Sequence, residues 1–310
     1  MNRTAAASAL TVAVSLFLAH DASADTRSWT AVKKVIGKGD TAVVSIDLSQ
    51  LRSSAAFQQG LQLLLDGEAD AKQAFDSVKS ECGYDVTAVV SDMTVVMQGD
   101  EHPLIAFGLE GLDEGKAIDC IAAVAGKMAN QPGVKLTGKK LGKITEYSVA
   151  GEDKKLYAAW LAPDVLAFTE DVNDKKALQT RVSGHGATGD LAKFLKKTTP
   201  AAPFWVAVAQ KDKEDGRTIL GGYGKVDLAG GIFSLAGSVV LSKPAEATGM
   251  AAEGNEAIGN AKQQAAKQSP ALAKAISTVV IKAAGSEVQI TAQVPDKDLP
   301  AIIPQLDHVF

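Results

Sequence analysis

The chain has 310 residues, of which 46% are hydrophobic and only 5% aromatic, and it carries a net charge of −4. That length and apolar content are enough to bury a sizeable core, built mostly from Val, Ile, Leu and Ala. The mild acidic balance supplies no broad positive field, so nucleic acid and anionic membrane surfaces are not expected partners.

The first residues have the three-part form of a secretory signal. Arg3 and the amino terminus give positive charge, Ala5–Ala19 is apolar apart from small hydroxyl residues, and Ala22-Ser23-Ala24 is an A-x-A site that places the cut before Asp25. The apolar run is short for a membrane span, although an uncleaved anchor is the other reading of it. The residue at the cut is Asp25 and not cysteine, so no lipid anchor is suggested, and no later segment is long and apolar enough to span. The expectation is a soluble periplasmic or secreted chain with no transmembrane anchor after cleavage.

From Thr41 the chain reads as alternating sheet and helix. "TAVVSIDLSQL" is a strand running into a turn, and "AAFQQGLQLLLDG" and "ADAKQAFDSVKSECG" are helices by their apolar spacing. "DVTAVVSDMTVVMQG" and "PLIAFGLEG" alternate as strands, including Val86-Thr87-Ala88-Val89. "LDEGKAIDCIAAVAGKMAN" is the strongest helix, with Asp113 as N-cap. "GKITEYSVA", "KLYAAWLA" and "VLAFTE" are short strands, and "VNDKKALQTRV" is a helix. A short helix, "DLAKFLKKT", with Asp190 as N-cap, leads through Pro200 and Pro203 to the strand "APFWVAVAQ". "YGKVDLAGGIFSLAGSVVLS" makes two strands, "EAIGNAKQQAAKQ" a helix, "AISTVVIKAAGSEVQITAQV" two strands, and "DKDLPAIIPQL" a closing helix.

The fold class expected is α+β: antiparallel sheets with packed helices. The element order repeats in outline, which reads as a degenerate duplication of one α+β unit; a single domain with a chance recurrence is the alternative. The divisions are a signal at 1–24, a first half at 25–190 and a second at 191–310, with the seam near Thr188–Pro203. The halves are either separate units or one compact domain.

Two cysteines, Cys82 and Cys120, form an even count in an exported chain, which points to a disulfide, with two buried free thiols as the alternative. Neither belongs to a C-x-x-C pair, so no thiol-redox motif is present. Cys82-Gly83-Tyr84-Asp85 ahead of a strand pair, followed by Gly111–Cys120 opening a helix with the second cysteine, resembles a type of exported bacterial protein of unknown function. The resemblance covers about a quarter of the chain. It implies export, the Cys82–Cys120 pairing and a β-rich fold, and no activity or catalytic residue.

"SGHGATGD", Ser183–Asp190, fits G-x-G-x-x-G through Gly184, Gly186 and Gly189. A dinucleotide-binding fingerprint follows a strand and opens a helix; here the preceding residues read as helix. With 28 glycines in the chain, the pattern arises by chance about 0.2 times. The stretch reads as a flexible connector, and no cofactor is expected.

His102, His185 and His308 lie far apart with no H-x-x-x-H spacing, so no metal site is expected. G-x-S-x-G and S-x-x-K sets are absent. "EDKK", "TEDVNDKK" and "KDKED" read as solvated mixed-charge turns, not as acid–base pairs. No catalytic machinery is evident, and the main expectation is a binding, structural or accessory protein. Two alternatives remain. One is a carrier of an apolar ligand such as a lipid or peptide tail, in a pocket lined by Trp160 and Trp205; ordinary core filling is the other reading of those tryptophans. The second is a hydrolase with a dispersed triad using His185. An apolar small molecule or a protein is the expected type of partner.

Overall fold

The computed structural model describes residues 25–303 apart from 100, 129–130, 132, 150–152 and 154. The expected signal and its cleavage site fall outside the described residues. The first element is α1 (Arg27–Val32), where the Thr26 hydroxyl accepts from the Trp29 amide as N-cap. Strand β1 (Ala42–Asp47) is followed by a helical excursion of α2 (Leu48–Leu51), α3 (Ala55–Gly67), α4 (Ala69–Cys82) and α5 (Val86–Val89). Hairpin β2 (Val90–Gln98) and β3 (Glu101–Leu109) leads to α6 (Glu114–Met128). Then come β4 (Leu136–Leu141), β5 (Ile144–Val149), β6 (Lys155–Ala162), β7 (Val165–Thr169), α7 (Lys175–Arg181) and α8 (Gly189–Leu195). The rest is β8 (Phe204–Val208), β9 (Asp212–Glu214), β10 (Arg217–Ala229), β11 (Ile232–Leu241), α9 (Pro244–Gln268), α10 (Pro270–Ile276), β12 (Val280–Ala284), β13 (Glu287–Pro295), a 3-10 turn (Asp296–Asp298) and α11 (Leu299–Ile302).

The fold is α+β. The strands make one 13-stranded antiparallel sheet in the order β12-β13-β11-β10-β8-β1-β2-β3-β7-β6-β5-β4, with β9 beside β10. The order runs outward alike from the central β1–β8 pair. On one side β1 meets the hairpin β2–β3, which is followed in the chain by α6; on the other β8 meets the hairpin β10–β11, followed by α9.

Strand alternation sends successive side chains to opposite faces. One face, called inner here, carries Val43, Val96, Leu104, Ala106, Ala167, Trp205 and Ala207, packed under Val32, Leu178 and Phe194 from α1, α7 and α8. Polar groups pin α1 to this face. The Ser28 hydroxyl bonds Thr94 Oγ1 at 2.8 Å, Ser45 Oγ bonds the same atom at 3.0 Å, and the Ser28 amide donates to Asp92 Oδ1 at 2.7 Å. Burial with partners keeps such groups from costing stability. The Asp92 carboxylate fits because residue 108 is glycine; a Cβ there would lie 2.2 Å from Asp92 Oδ2.

The structure differs from the sequence expectations in several local places: Arg27–Val32 is a helix, Leu48–Leu51 is a helical turn, and Asp212–Glu214, within the expected turn "KDKED", is a strand. Val86–Val89 is a helical turn, not strand: Asp85 Oδ1 accepts from the Thr87 amide at 2.9 Å and its hydroxyl at 2.6 Å, which favours a capped turn over extension. Helix α8 has Thr188 as N-cap, and Asp190 lies in its first turn, where a negative charge suits the helix dipole. Strand β4 had no sequence signal because its interior, Thr137-Gly138-Lys139-Lys140, is polar and exposed at the sheet edge.

Candidate functional site

The cysteines meet. Cys82 at the end of α4 and Cys120 within α6 form a disulfide with Cα atoms 5.3 Å apart. Lys127 adds to this junction, donating to Ser80 Oγ at 2.6 Å and Glu81 Oε1 at 2.9 Å. That ammonium holds the Glu81 carboxyl below the usual glutamate range. The other end of the excursion is also tied: Asp296 accepts from the Ala55 and Ala56 amides at 2.9 and 3.1 Å, binding the start of α3 to the end of β13.

The two tryptophans are not brought together. Trp205 is 0% exposed and stacks edge-on with Trp29, ring centroids 4.8 Å apart. Its strand parity aligns it with Ser45, Thr94, Ala106, Ala167 and Ala159 on the inner face. Trp160 has the opposite parity, pairing Leu166, and four strands separate β6 from β8. The residues of β8 that share the face of Trp160 are Phe204 and Val206.

That outer face has two continuous apolar rows. One runs through Ile290, Gly237, Gly224, Val206, Val44, Val95, Ile105 and Phe168. The next runs through Ala292, Leu235, Val226, Phe204, Ile46, Met93, Phe107, Leu166 and Trp160. At one end Phe107, Phe168 and Leu166 pack with Ala117 of α6. At the other, Val239, Val288 and Ile290 pack with Ala247 and Ala251 of α9. Between these ends Val44, Ile46, Met93, Val95, Ile105, Phe204 and Val206 stay partly exposed and pack against no buried core cluster. Glycines 224 and 237 lower the surface next to the Ile290 end of the first row.

Helix α3 shares this lack of cover. It has no buried residue although it carries Phe57, Leu61, Leu63, Leu64 and Leu65; Leu63 and Leu64 are 46% and 49% exposed. The two features together were not legible locally. Each strand of the sheet shows alternation, but which parity lies under a helix depends on partners remote in sequence.

The glycine stretch is flanked by helices α7 and α8, without the preceding strand a dinucleotide fingerprint needs. It is docked, not free. The Gly186 amide donates to Ile36 O at 3.1 Å, and Gly184 lies against the Val35–Ile36 backbone. Beneath it the buried Arg181 pairs with Asp40 and donates to Gln98 Oε1 and Val96 O, both at 2.8 Å. His185 is exposed and has no hydrogen bond among the described residues. His102 is the second residue of β3, and His308 falls outside the described residues. Among the described residues no group of three or more His, Cys, Asp or Glu gathers as a metal site, and no helix is long and apolar enough to cross a membrane.

Trp160 lines a cleft of about 300 Å³ with Ala31, Val35, Leu161, Lys34, Lys140, Lys143 and Glu114. Its indole N–H donates to the Tyr147 hydroxyl at 2.8 Å, and that hydroxyl donates to Glu114 Oε1 at 3.0 Å. Burial pushes the Tyr147 hydroxyl above the usual tyrosine range, and the neighbouring Glu114 adds to the rise. A second concavity of about 250 Å³ lies by Lys197, Tyr223, Ser238, Gln289 and Thr291.

No family model matches this chain, and no curated protein matches it. Among solved structures it is similar to crystal form III of TP0453, with 10% identity, a TM-score of 0.47, and coverage of 88% of this chain and 98% of that one. Crystal form I of TP0453 gives 9% identity, a TM-score of 0.45, and coverage of 88% and 96%. At these TM-scores the likeness says nothing about what this chain does.

Proposed function

We propose that this protein is a non-catalytic, exported carrier that holds an apolar chain against the outer face of its sheet. The observation that supports the reading is the double apolar row. Its central side chains stay partly exposed between α6 and α9, while the inner face of the same strands is fully packed. Leaving such surface in water costs free energy that an apolar ligand recovers at about 0.8 kcal/mol per buried methylene. The leucines of α3 offer a second apolar surface on an excursion tied at both ends. The ligand region in this reading is formed by Val44, Val95, Ile105, Phe204 and Val206, with Trp160 at the end of a row and Trp205 in the core behind it. The secretory signal read from the sequence and the Cys82–Cys120 bond both support an extracytoplasmic location. The mirrored strand order supports reading the chain as a degenerate duplication of one α+β unit.

The test is binding of hexadecanoic acid with a terminal fluorophore to delipidated protein, alongside native mass spectrometry of freshly purified protein. Val95→Lys places a charge in the row and abolishes binding, while Ser234→Lys on the inner face of β11 leaves it intact. Far-ultraviolet circular dichroism checks that both variants fold. Protein that carries no lipid and takes up no probe refutes the carrier reading.

A further inference from the structure

The Trp160 cleft differs in chemistry from the apolar face. Two chain segments remote in sequence bring lysines to it: Lys34 follows α1, while Lys140 in β4 and Lys143 in the turn to β5 belong to one hairpin. Lys143 is held in place by donating one proton to Val182 O at 3.1 Å, which leaves its other ammonium protons available. Among the described residues Lys34 and Lys140 have no carboxylate partner. The one carboxylate in the cleft, Glu114, already accepts from the Tyr147 hydroxyl, and that hydroxyl takes the Trp160 N–H. The acidic group is therefore bound up in a wall of the cleft, and the positive charge is left unmatched in a chain of net charge −4.

The walls are apolar on the other side, from Ala31, Val35, Leu161 and the Trp160 ring. Strand β6 pairs β5 up to Ala158 and β7 from Ala159, with an irregular register between Trp160 and Ala162. Trp160 thus stands where the strand changes partners, and its ring orientation is fixed by the bond to Tyr147.

We propose that this cleft is a binding site for a small organic anion, with the acidic group among Lys34, Lys140 and Lys143 and a flat apolar body on Trp160. Charge-assisted bonds from ammonium groups supply the attraction, and the apolar walls select against inorganic ions. The site shares Trp160 with the end of one apolar row, but its lysines lie outside both rows and its ligand need not be long.

The probes are naphthalene-2-sulfonate, its neutral counterpart 2-naphthalenemethanol, and inorganic phosphate, titrated by calorimetry with intrinsic fluorescence in parallel. The sulfonate is expected to bind and to change the emission of Trp160. Trp160→Phe removes that change, since Trp29 and Trp205 are buried together. The double variant Lys34→Gln/Lys140→Gln weakens the sulfonate about tenfold or more, and salt has the same direction of effect. Both lysines are exposed, so the variant should fold; its unfolding midpoint checks this. The neutral probe and phosphate bind far more weakly than the sulfonate. Equal binding of sulfonate by parent and double variant, equal binding of the neutral probe, or an unchanged signal in Trp160→Phe each overturns the proposal. Val95→Lys leaves sulfonate binding intact, so failure of the carrier reading and failure of this site are separable.

Discussion

Replacing Gly184 by alanine probes the contact that makes the glycine stretch part of the fold. An added Cβ would lie 1.9 Å from Val35 O and 2.6 Å from both the carbonyl carbon and oxygen of Ile36. These are backbone atoms, so no side chain can swing aside. Relief needs the loop or the segment after α1 to move by about 1 Å, in a region with little free volume. That movement stretches the bond from the Gly186 amide to Ile36 O. Overpacking costs about 1–3 kcal/mol and a lost hydrogen bond about 1 kcal/mol, giving a total of roughly 2–4 kcal/mol. Gly189 in the same stretch is the control. It has φ +66° and nothing within 4 Å of an added Cβ, so Gly189→Ala costs only the left-handed penalty of about 1–2 kcal/mol. The assay is urea unfolding followed by tryptophan fluorescence, which reports on the buried Trp29–Trp205 pair. With a urea slope of about 3 kcal/mol per molar, Gly184→Ala lowers the midpoint by about 1 M. A Gly184→Ala midpoint within about 0.2 M of the parent would refute docking of this loop and restore a free hinge.

Two further outcomes follow from the ties seen here. Removing the disulfide with Cys82→Ser/Cys120→Ser lowers stability by about 4 kcal/mol in the chain-entropy model, for a bridge whose ends are 38 residues apart. Urea titration of the double variant and of the thiol-reduced parent should agree, and an unchanged midpoint in both would discount the cross-link. The third concerns acid. Lys197 and the Tyr223 hydroxyl hold the Glu287 carboxyl below the usual glutamate range. A carboxyl lowered on folding adds stability above its unfolded pKa, and that stability is lost as pH falls through the lower folded value. The urea midpoint should therefore drop on acidification below the ordinary glutamate pKa, and Glu287→Gln should flatten part of that drop. Identical pH profiles for parent and variant would remove Glu287 from the account.

Much of the local structure was legible in the residues. Helical spacing in "AAFQQGLQLLLDG" located α3, and alternation in Met93-Thr94-Val95 located β2. Asp113 capped α6 as its position implied, with its Oδ1 accepting from the Lys116 amide at 3.0 Å. Two cysteines in one chain left a single pairing, and it forms. The misreadings were also local: Asp85 turned Val86–Val89 into helix, and β4 is an edge strand of polar residues with no alternating signal.

The sequence by itself determined the two parities of each strand, the α+β class and the covalent cross-link, because these depend on neighbours in the chain or on a pair with no competitor. Only the tertiary structure decided which parity is buried. Trp205 and Phe204 are adjacent and both aromatic. One lies in the core against Trp29, and the other lies on the partly exposed outer face. That choice is made by α1, α7 and α8, which cover one side of the sheet, and by the spacing of α6 and α9 on the other. The same holds for "SGHGATGD": its glycines allow tight turns on their own, but their close approach to Val35 and Ile36 exists only when α1 is docked. Contacts between distant segments carry no local pattern, since any side chain small enough would satisfy them.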